Sequence, residues 1–209
     1  MKHLASSLFL VLAIAAVGVP AAPVPGYSIQ AIRYANSPGL IRGGGRNILF
    51  DSGFHREKWF KYFPVTDYLR PDEAVKLAGV KPDEVTDVVI SHAHWDHMGG
   101  IDLFPKATVW IQKDELRYYT GEAWQTGGQH DGIDPEDVRE LVQLNTQGRL
   151  RLVDGDNVEI FPGIRAYTGA RHTYWPRTIA ISTGTSRNIK QAPPFPRQTK
   201  PPTSRTRNG

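Results

Sequence analysis

The chain has 209 residues, of which 40% are hydrophobic and 22% are charged, so it is long enough for one domain with a substantial core. It contains no cysteine, which excludes disulfide bonds and thiolate metal ligands and leaves histidine and carboxylate side chains to hold any metal ion. Lys2 and the six basic residues of 187–209 make up seven of the 25 lysines and arginines, so residues 22–186 carry 18 basic side chains against 21 acidic ones. This slightly acidic body predicts no nucleic-acid partner.

The N-terminus has the three parts of an export signal. A basic start at Met1–His3 precedes the apolar stretch Leu4–Val19, and the small residues of Pro20–Ala22 follow as a cleavage site. The alternative is a membrane anchor, but the apolar stretch is shorter than the ~20 residues that a membrane-spanning helix needs. We therefore expect residues 1–22 to be a signal peptide, the protein to be exported to the periplasm or secreted, and no stable membrane anchor to be present.

Alternating side chains and glycine-rich turns predict a β-meander at the start of the body. Strands are expected at 27–34, 40–42 and 47–50, with turns at 36–39 and 43–45 between them. The meander ends in Asp51-Ser52-Gly53.

Helices and strands then follow one another. Pro71-Asp72-Glu73 is typical of a first helical turn, and Gly79 is expected to close that helix. A short helical turn at 82–85 precedes a buried strand at 87–91. Further strands are expected at 107–111, 150–153, 158–161, 164–167 and 178–183, and further helices near 101–104, at 114–119 and from Pro135 onwards.

The turn residues Asp154–Asn157 predict that the strands on either side of them form a hairpin. Runs of strands with helices between some of them favour a layered α/β or α+β sandwich over a doubly wound nucleotide-binding fold. No P-loop and no G-x-G-x-x-G motif occurs.

The most informative stretch is Ser-His-Ala-His-Trp-Asp-His-Met-Gly-Gly at residues 91–100. Three of the seven histidines and one aspartate fall between His92 and His97, directly after the apolar run Val88–Ile90. Imidazoles together with a carboxylate suit zinc and the neighbouring transition metals. The alternative, a polar loop with chance histidines, does not explain this spacing after a buried strand, so we predict a metal site.

Other candidate residues carry weaker signals. Trp95, inside the motif, is expected to pack beside the metal or to line a pocket. The aromatic side chains between Trp59 and Phe63 fit core or lid packing better than a ligand site. His55 is expected to be a loop or helix-start residue, and His130 to be an exposed residue of a glycine-rich loop.

With His92-Ala-His94-Trp-Asp96-His97 after a buried strand, and with His172 after Thr168-Gly169, the chain resembles the metallo-β-lactamase superfamily over residues 27–186. Among the members of this superfamily, the sequence most resembles exported relatives of the N-acyl-homoserine lactonases. The resemblance implies a four-layer αββα sandwich with the metals at one edge of its two sheets.

The resemblance also implies the roles of the site residues. It implies a first zinc held by His92, His94 and His172, and a second metal held by Asp96 and His97 with a later aspartate and a later histidine. Asp96 would be both a metal ligand and the catalytic proton acceptor. Asp51 would orient the metal loop by accepting hydrogen bonds.

The activity that the resemblance implies is zinc-dependent hydrolysis, in which a metal-bound hydroxide attacks the lactone or ester carbonyl of a small-molecule substrate. Two alternatives stay open. One is a homologue that binds metal but is catalytically impaired or inactive, and the other is a glyoxalase-II-like thioesterase or a β-lactamase. The oligomeric state is left open.

The C-terminal part departs from the family pattern. No acidic residue follows Glu159 and no histidine follows His172, and residues 187–209 contain five prolines and no acid. We therefore expect one zinc site, a second site that lacks ligands, and a fold that is incomplete in its C-terminal half. The expected organisation is a signal peptide at 1–22, a truncated metallo-β-lactamase-like domain at 23–186 and a basic tail at 187–209.

Three hypotheses account for that tail. It is a natural disordered extension, or the product of a truncated or out-of-frame gene, or the end of a different family that needs only one metal. The abrupt change in composition after Ser186 favours the second hypothesis.

Overall fold

A mixed six-stranded sheet forms the centre of the computed structural model, which describes residues 26–31, 39–63, 65, 68–168, 173 and 182–183. The strands lie in chain order across this sheet: β1 (Tyr27–Ala31), β2 (Gly39–Gly43), β3 (Arg46–Phe50), β4 (Asp87–Val89), β5 (Thr108–Gln112) and β6 (Leu150–Val153). The first three pair antiparallel, and β3 to β6 pair parallel. The predicted meander is therefore confirmed.

The turn between β2 and β3 shows why glycine is required there. Gly44 and Gly45 have φ values of 56° and 74°, so both central residues of this two-residue hairpin turn are left-handed. This geometry matches the twist of the flanking strands, and side chains with a Cβ atom adopt it only at a cost.

Helices connect the parallel strands. They are α1 (Glu57–Phe60), α2 (Pro71–Leu77), α3 (Trp95–Met98), α4 (Lys113–Tyr119) and α5 (Pro135–Thr146), with 3₁₀ turns at Pro82–Glu84, Ile101–Leu103 and Glu122–Trp124. The expected boundaries of α2 are confirmed, since Pro71 is its first residue and Gly79, with a φ of 77°, lies just after its end. The short helices α1 and α3 were not predicted, because four residues are too few to show a period of 3.6.

The first sheet is covered on both faces. One face packs against the helices through a core that includes Val88, Ile90, Val109 and the α5 residue Leu141. The other face packs against a second sheet, formed by β7 (Val158–Phe161), β8 (Ile164–Ala166) and β9 (Ser182–Thr183). The described residues thus form helix, sheet and sheet layers, which are three of the four layers of the predicted αββα sandwich.

One prediction about pairing is wrong. The strands β6 and β7 do not form a hairpin, because β6 pairs parallel with β5 in the first sheet while β7 pairs antiparallel with β8 in the second. The turn at Asp154–Asn157 has the residues of a hairpin turn, but it carries the chain from one sheet to the other. Val153 of β6 and Phe161 of β7 are thereby both buried in the space between the two sheets.

Several predictions concern residues outside the described part of the chain. These are the signal peptide at 1–22, the tail at 187–209, the turn at 36–38, the placement of His172 and most of the strand expected at 178–183. Within the described residues, no helix combines the length and apolarity needed to cross a membrane.

Two neighbouring residues of α5 test how this layer packs. Leu141 is fully buried, whereas Val142 is 46% exposed. We expect Leu141→Ala to lower the free energy of unfolding by about 2–5 kcal/mol, because it leaves a cavity in the helix-facing core. Val142→Ala, the control, is expected to change it by less than about 0.5 kcal/mol. Urea denaturation of both variants measures the difference, and equal losses would contradict this packing.

Candidate metal centre

The predicted metal motif lies at the carboxyl end of β4. This strand is buried between β3 and β5, and the Ile90 amide extends the pairing by donating to the Trp110 carbonyl over 2.8 Å. The chain then leaves the sheet through Ser91 and the two histidines His92 and His94, and enters α3 at Trp95. Four of the predicted ligands, His92, His94, Asp96 and His97, are therefore placed at one sheet edge.

Asp51 reaches the same edge from the neighbouring strand. It follows β3, which is parallel to β4, so the carboxyl ends of the two strands lie side by side. Its φ of 59° is left-handed, which is uncommon for a residue other than glycine. Its amide donates to the Val89 carbonyl over 2.9 Å, and the next amide, that of Ser52, donates to the His97 carbonyl over 2.7 Å. The turn after β3 is thus held against α3.

The Asp51 carboxylate is 5% exposed and accepts three hydrogen bonds. The amide of Ser91 donates to Oδ1 over 2.7 Å, while the Ser91 hydroxyl and His97 Nδ1 each donate to Oδ2 over 2.9 Å. Burial lowers the pKa of His97. The hydrogen bond and the charge of Asp51, together with the charge of Asp96, raise it by more than burial lowers it, so the pKa of His97 lies above its usual value. Asp51 therefore has the position expected of a residue that orients the metal loop, and that role stays a prediction.

These hydrogen bonds also determine which histidine nitrogens carry protons. Because the Ser91 hydroxyl donates to Asp51, its oxygen accepts from His92 Nδ1, which lies 2.9 Å away. His92 Nε2 is then the unprotonated nitrogen, and an imidazole binds metal through its unprotonated nitrogen. In the same way, His97 donates through Nδ1 to Asp51 and presents Nε2, 3.7 Å from Asp96 Oδ2.

The donor atoms fit one half of a zinc site. His92 Nε2 and His94 Nδ1 are 3.0 Å apart, close to the roughly 3.3 Å that separates two ligands of a tetrahedral zinc with bonds of about 2.0–2.1 Å. Among the described residues, no group of three histidine, aspartate or glutamate side chains forms a metal-binding cluster. The proposed third ligand, His172, is outside the described residues.

Comparison with known proteins identifies the family. Residues 33–170 match the family model of the metallo-β-lactamase superfamily. The chain belongs to this superfamily. The matched region contains β2 to β8 and the whole metal motif, and it ends just before His172.

Members of the superfamily that resemble this chain include lactonases. The N-acyl homoserine lactonase AttM of Azorhizobium caulinodans is 42% identical over 71 residues, which are 32% of this chain and 26% of AttM. The N-acyl homoserine lactonase AiiB of Agrobacterium fabrum is 29% identical over 116 residues, which are 47% of this chain and 42% of AiiB. The chain thus spans less than half of the length of these relatives.

A solved structure supports the fold. AidC, a dizinc quorum-quenching lactonase in complex with an N-acyl-homoserine product, superposes with a TM-score of 0.55 over 73% of this chain and 53% of AidC, at 19% identity. The fold class expected from the sequence, a metallo-β-lactamase sandwich, is confirmed.

Sequence reasoning missed three residues that contact the superfamily motif. The Ser91 hydroxyl contacts Asp51, His92 and His97. Glu115 accepts a hydrogen bond from the Ala93 amide over 2.9 Å, and Gly132 accepts one from the Trp95 amide over 2.9 Å. The position of Ser91 between strand and motif was a usable signal, whereas Glu115 and Gly132 are brought there only by folding.

An aromatic cluster borders the motif. The Trp95 ring stacks on Trp59 at 4.4 Å and on Phe63 at 5.1 Å, and its centroid is 4.6 Å from that of Phe54 in an edge contact. Trp95 is buried, whereas Phe63 is 49% exposed. The predicted lid or core packing of these aromatics agrees with this arrangement.

The two remaining histidines of the described residues have other partners. His55 lies 2.8 Å from the Asp102 carboxylate, and His130 stacks on Trp124 and hydrogen-bonds the Ala123 carbonyl. Neither belongs to the metal motif, as expected.

Gly132 gives a test of how His94 is held. A Cβ atom at Gly132 would lie 3.0 Å from His94 Cδ2 and 3.2 Å from Nε2, so Gly132→Ala is expected to displace this imidazole. Gly127→Ala is a matched control, because Gly127 has a similar φ, 83° against 74°, and no atom within 4 Å of its Cβ position.

Both variants are expected to lose about 1–2 kcal/mol of stability from the left-handed backbone. Only Gly132→Ala is expected to shift the His94 imidazole resonances in the NMR spectrum of metal-free protein. Equal shifts in both variants would show that Gly132 does not position His94.

Proposed function

We propose that this protein is a zinc-dependent hydrolase that cleaves the ester bond of a small lactone or ester with addition of water, with N-acyl homoserine lactones as the first substrates to test. The observation that carries the proposal is the convergence of His92 Nε2 and His94 Nδ1, 3.0 Å apart, next to Asp96 and His97 at one sheet edge. Membership of the metallo-β-lactamase superfamily, and the lactonase relatives AttM and AiiB, support the choice of chemistry.

His92, His94 and His172 would hold the zinc, and Asp96 and His97 would face a second metal position. When bound, zinc supplies a water of lowered pKa and polarises a substrate carbonyl. The chain's own contribution is to hold His92 in one tautomer through Ser91 and Asp51, and so to present its unprotonated Nε2.

Asp96 would accept the proton released during attack on the carbonyl. It lies in the first turn of α3, and its Oδ2 is 3.7 Å from His97 Nε2. Trp95, Trp59 and Phe63 add apolar surface beside the motif, which limits water there and suits a substrate with an apolar substituent.

A second candidate function is zinc binding with little turnover. It corresponds to the expectation from the sequence that the second metal site lacks ligands. Metal stoichiometry and kinetics separate the two candidates.

The ligand assignment predicts the zinc affinity of three variants. We expect His92→Ala and His172→Ala each to weaken zinc binding by more than about 100-fold, because losing a direct ligand costs more than losing a supporting hydrogen bond. His130→Ala is the control, since the His130 ring stacks on Trp124 and hydrogen-bonds the Ala123 carbonyl. Competition with a chromophoric chelator measures the affinities, and tight binding retained in either ligand variant would contradict the assignment.

The same protein is expected to bind about one zinc tightly per chain by elemental analysis, because only one full set of ligands is assigned. Two tightly bound zinc ions per chain would show that the second site is complete.

Asp96→Asn separates catalysis from metal binding. We expect it to lower kcat for lactone hydrolysis by about 10²–10⁴-fold, because it removes a general base, while zinc at the three-histidine site is retained. Asp154→Asn is the control, because Asp154 is exposed and pairs with Lys113 on the surface.

A panel of lactones, thioesters and β-lactams, assayed with the wild-type protein, identifies the substrate class. Absence of turnover on the whole panel, with zinc bound, would favour the second candidate.

A further inference from the structure

Glu115 contacts Ala93 and Thr173, each of which is next in the chain to a proposed zinc ligand. Its side chain is fully buried, and each carboxyl oxygen accepts one hydrogen bond from a different segment. Oε2 accepts from the amide of Ala93, the residue between His92 and His94, over 2.9 Å. Oε1 accepts from the hydroxyl of Thr173, the residue bonded to His172.

The sheet explains how Glu115 reaches this position. It is the third residue of α4, which begins directly after β5, the parallel neighbour of β4. Gln112, the last residue of β5, caps α4 by accepting from the amides of Asp114 and Glu115. The first turn of α4 is therefore held at the sheet edge where the metal motif leaves β4.

A carboxyl group in this place is costly. Burial raises the pKa of Glu115 to about 7, even though the hydrogen bonds from Thr173 and Ala93 lower it. An apolar side chain would avoid this cost, but it would leave the buried Ala93 amide without this acceptor. The carboxyl group is thus useful because its two oxygens join two separate stretches of chain.

We propose that Glu115 is a positioning residue of the zinc site, which fixes Ala93, the residue between His92 and His94, with one carboxyl oxygen, and Thr173, the residue that follows His172 in the chain, with the other. The proposal rests on the zinc-binding function proposed above. Glu115 does not contact the metal or the substrate in this role, and it acts through the Ala93 amide and the Thr173 hydroxyl.

Replacement of zinc by Co²⁺ gives the sharpest test, because the visible spectrum of Co²⁺ reports the geometry of its ligands. Methionine is similar in size to glutamate but has no oxygen atom to accept these bonds, so Glu115→Met removes both of them. We expect Glu115→Met to weaken zinc binding by about 10–100-fold and to change the Co²⁺ spectrum. Thr173→Val, which removes only the second bond, is expected to change the spectrum in the same direction, whereas Thr173→Ser is expected to keep the wild-type spectrum.

Asp137→Asn is the matched control. Asp137 is also a fully buried acid, but it lies on α5 and pairs with Arg56. We expect this variant to lose folding stability while its Co²⁺ spectrum and zinc affinity remain those of the wild type. Unfolding of each metal-free variant in urea gives the stability for comparison.

The outcomes are distinct. If the wild type binds zinc tightly, and if Glu115→Met and Thr173→Val leave both affinity and spectrum unchanged, Glu115 has only a structural role and the inference is overturned. If the wild type binds neither zinc nor Co²⁺ tightly, the proposed function itself fails, and the positioning role fails with it.

Discussion

The buried carboxylate of Asp51 is the contact on which the geometry of the metal motif depends. It sits in a left-handed conformation at the end of β3, which costs on the order of 1 kcal/mol or more for a residue with a Cβ atom. The cost is offset by three hydrogen bonds, two from Ser91 and one from His97. Through these hydrogen bonds, the Asp51 side chain fixes the position of Ser91 at the start of the motif and of His97 at its end. Through Ser91, it also fixes the tautomer of His92.

The site is assembled by three neighbouring parallel strands. The end of β3 supplies Asp51, the end of β4 supplies the histidines and Asp96, and the helix that follows β5 supplies Glu115. In open α/β sheets, the carboxyl ends of parallel strands meet along one edge, which is where such folds place their sites. The antiparallel meander lies to one side of these strands and contributes packing.

Asp134 links the aromatic cluster to the loop that contacts His94. It is fully buried, caps α5 by accepting from the Glu136 amide over 3.0 Å, and accepts from Lys58 Nζ and from Trp59 Nε1. Burial raises the pKa of Asp134, but the hydrogen bonds from Lys58 and the Glu136 amide, with the charges of Lys58 and Arg56, lower it below its usual value. Because Gly132 is two residues before Asp134, the cluster and the loop are held against the motif together.

The local elements and the identity of the metal motif were determined by the sequence itself. Apolar alternation, glycine turns and proline at helix starts are short-range signals, and they located the meander, the helix at Pro71 and the histidine cluster after a buried strand. The spacing of His92, His94, Asp96 and His97 was enough to name the superfamily.

Only the tertiary structure decided which strands pair with one another and which residues contact the motif. The strands β6 and β7 entered different sheets, because burial of Val153 and Phe161 between the sheets outweighed the hairpin-like turn between them. Glu115 and Gly132 became part of the site through contacts 22 and 37 positions away along the chain, at Ala93 and Trp95. No local pattern records such contacts, since they arise when strands and helices that are far apart in sequence pack against the same edge of a sheet.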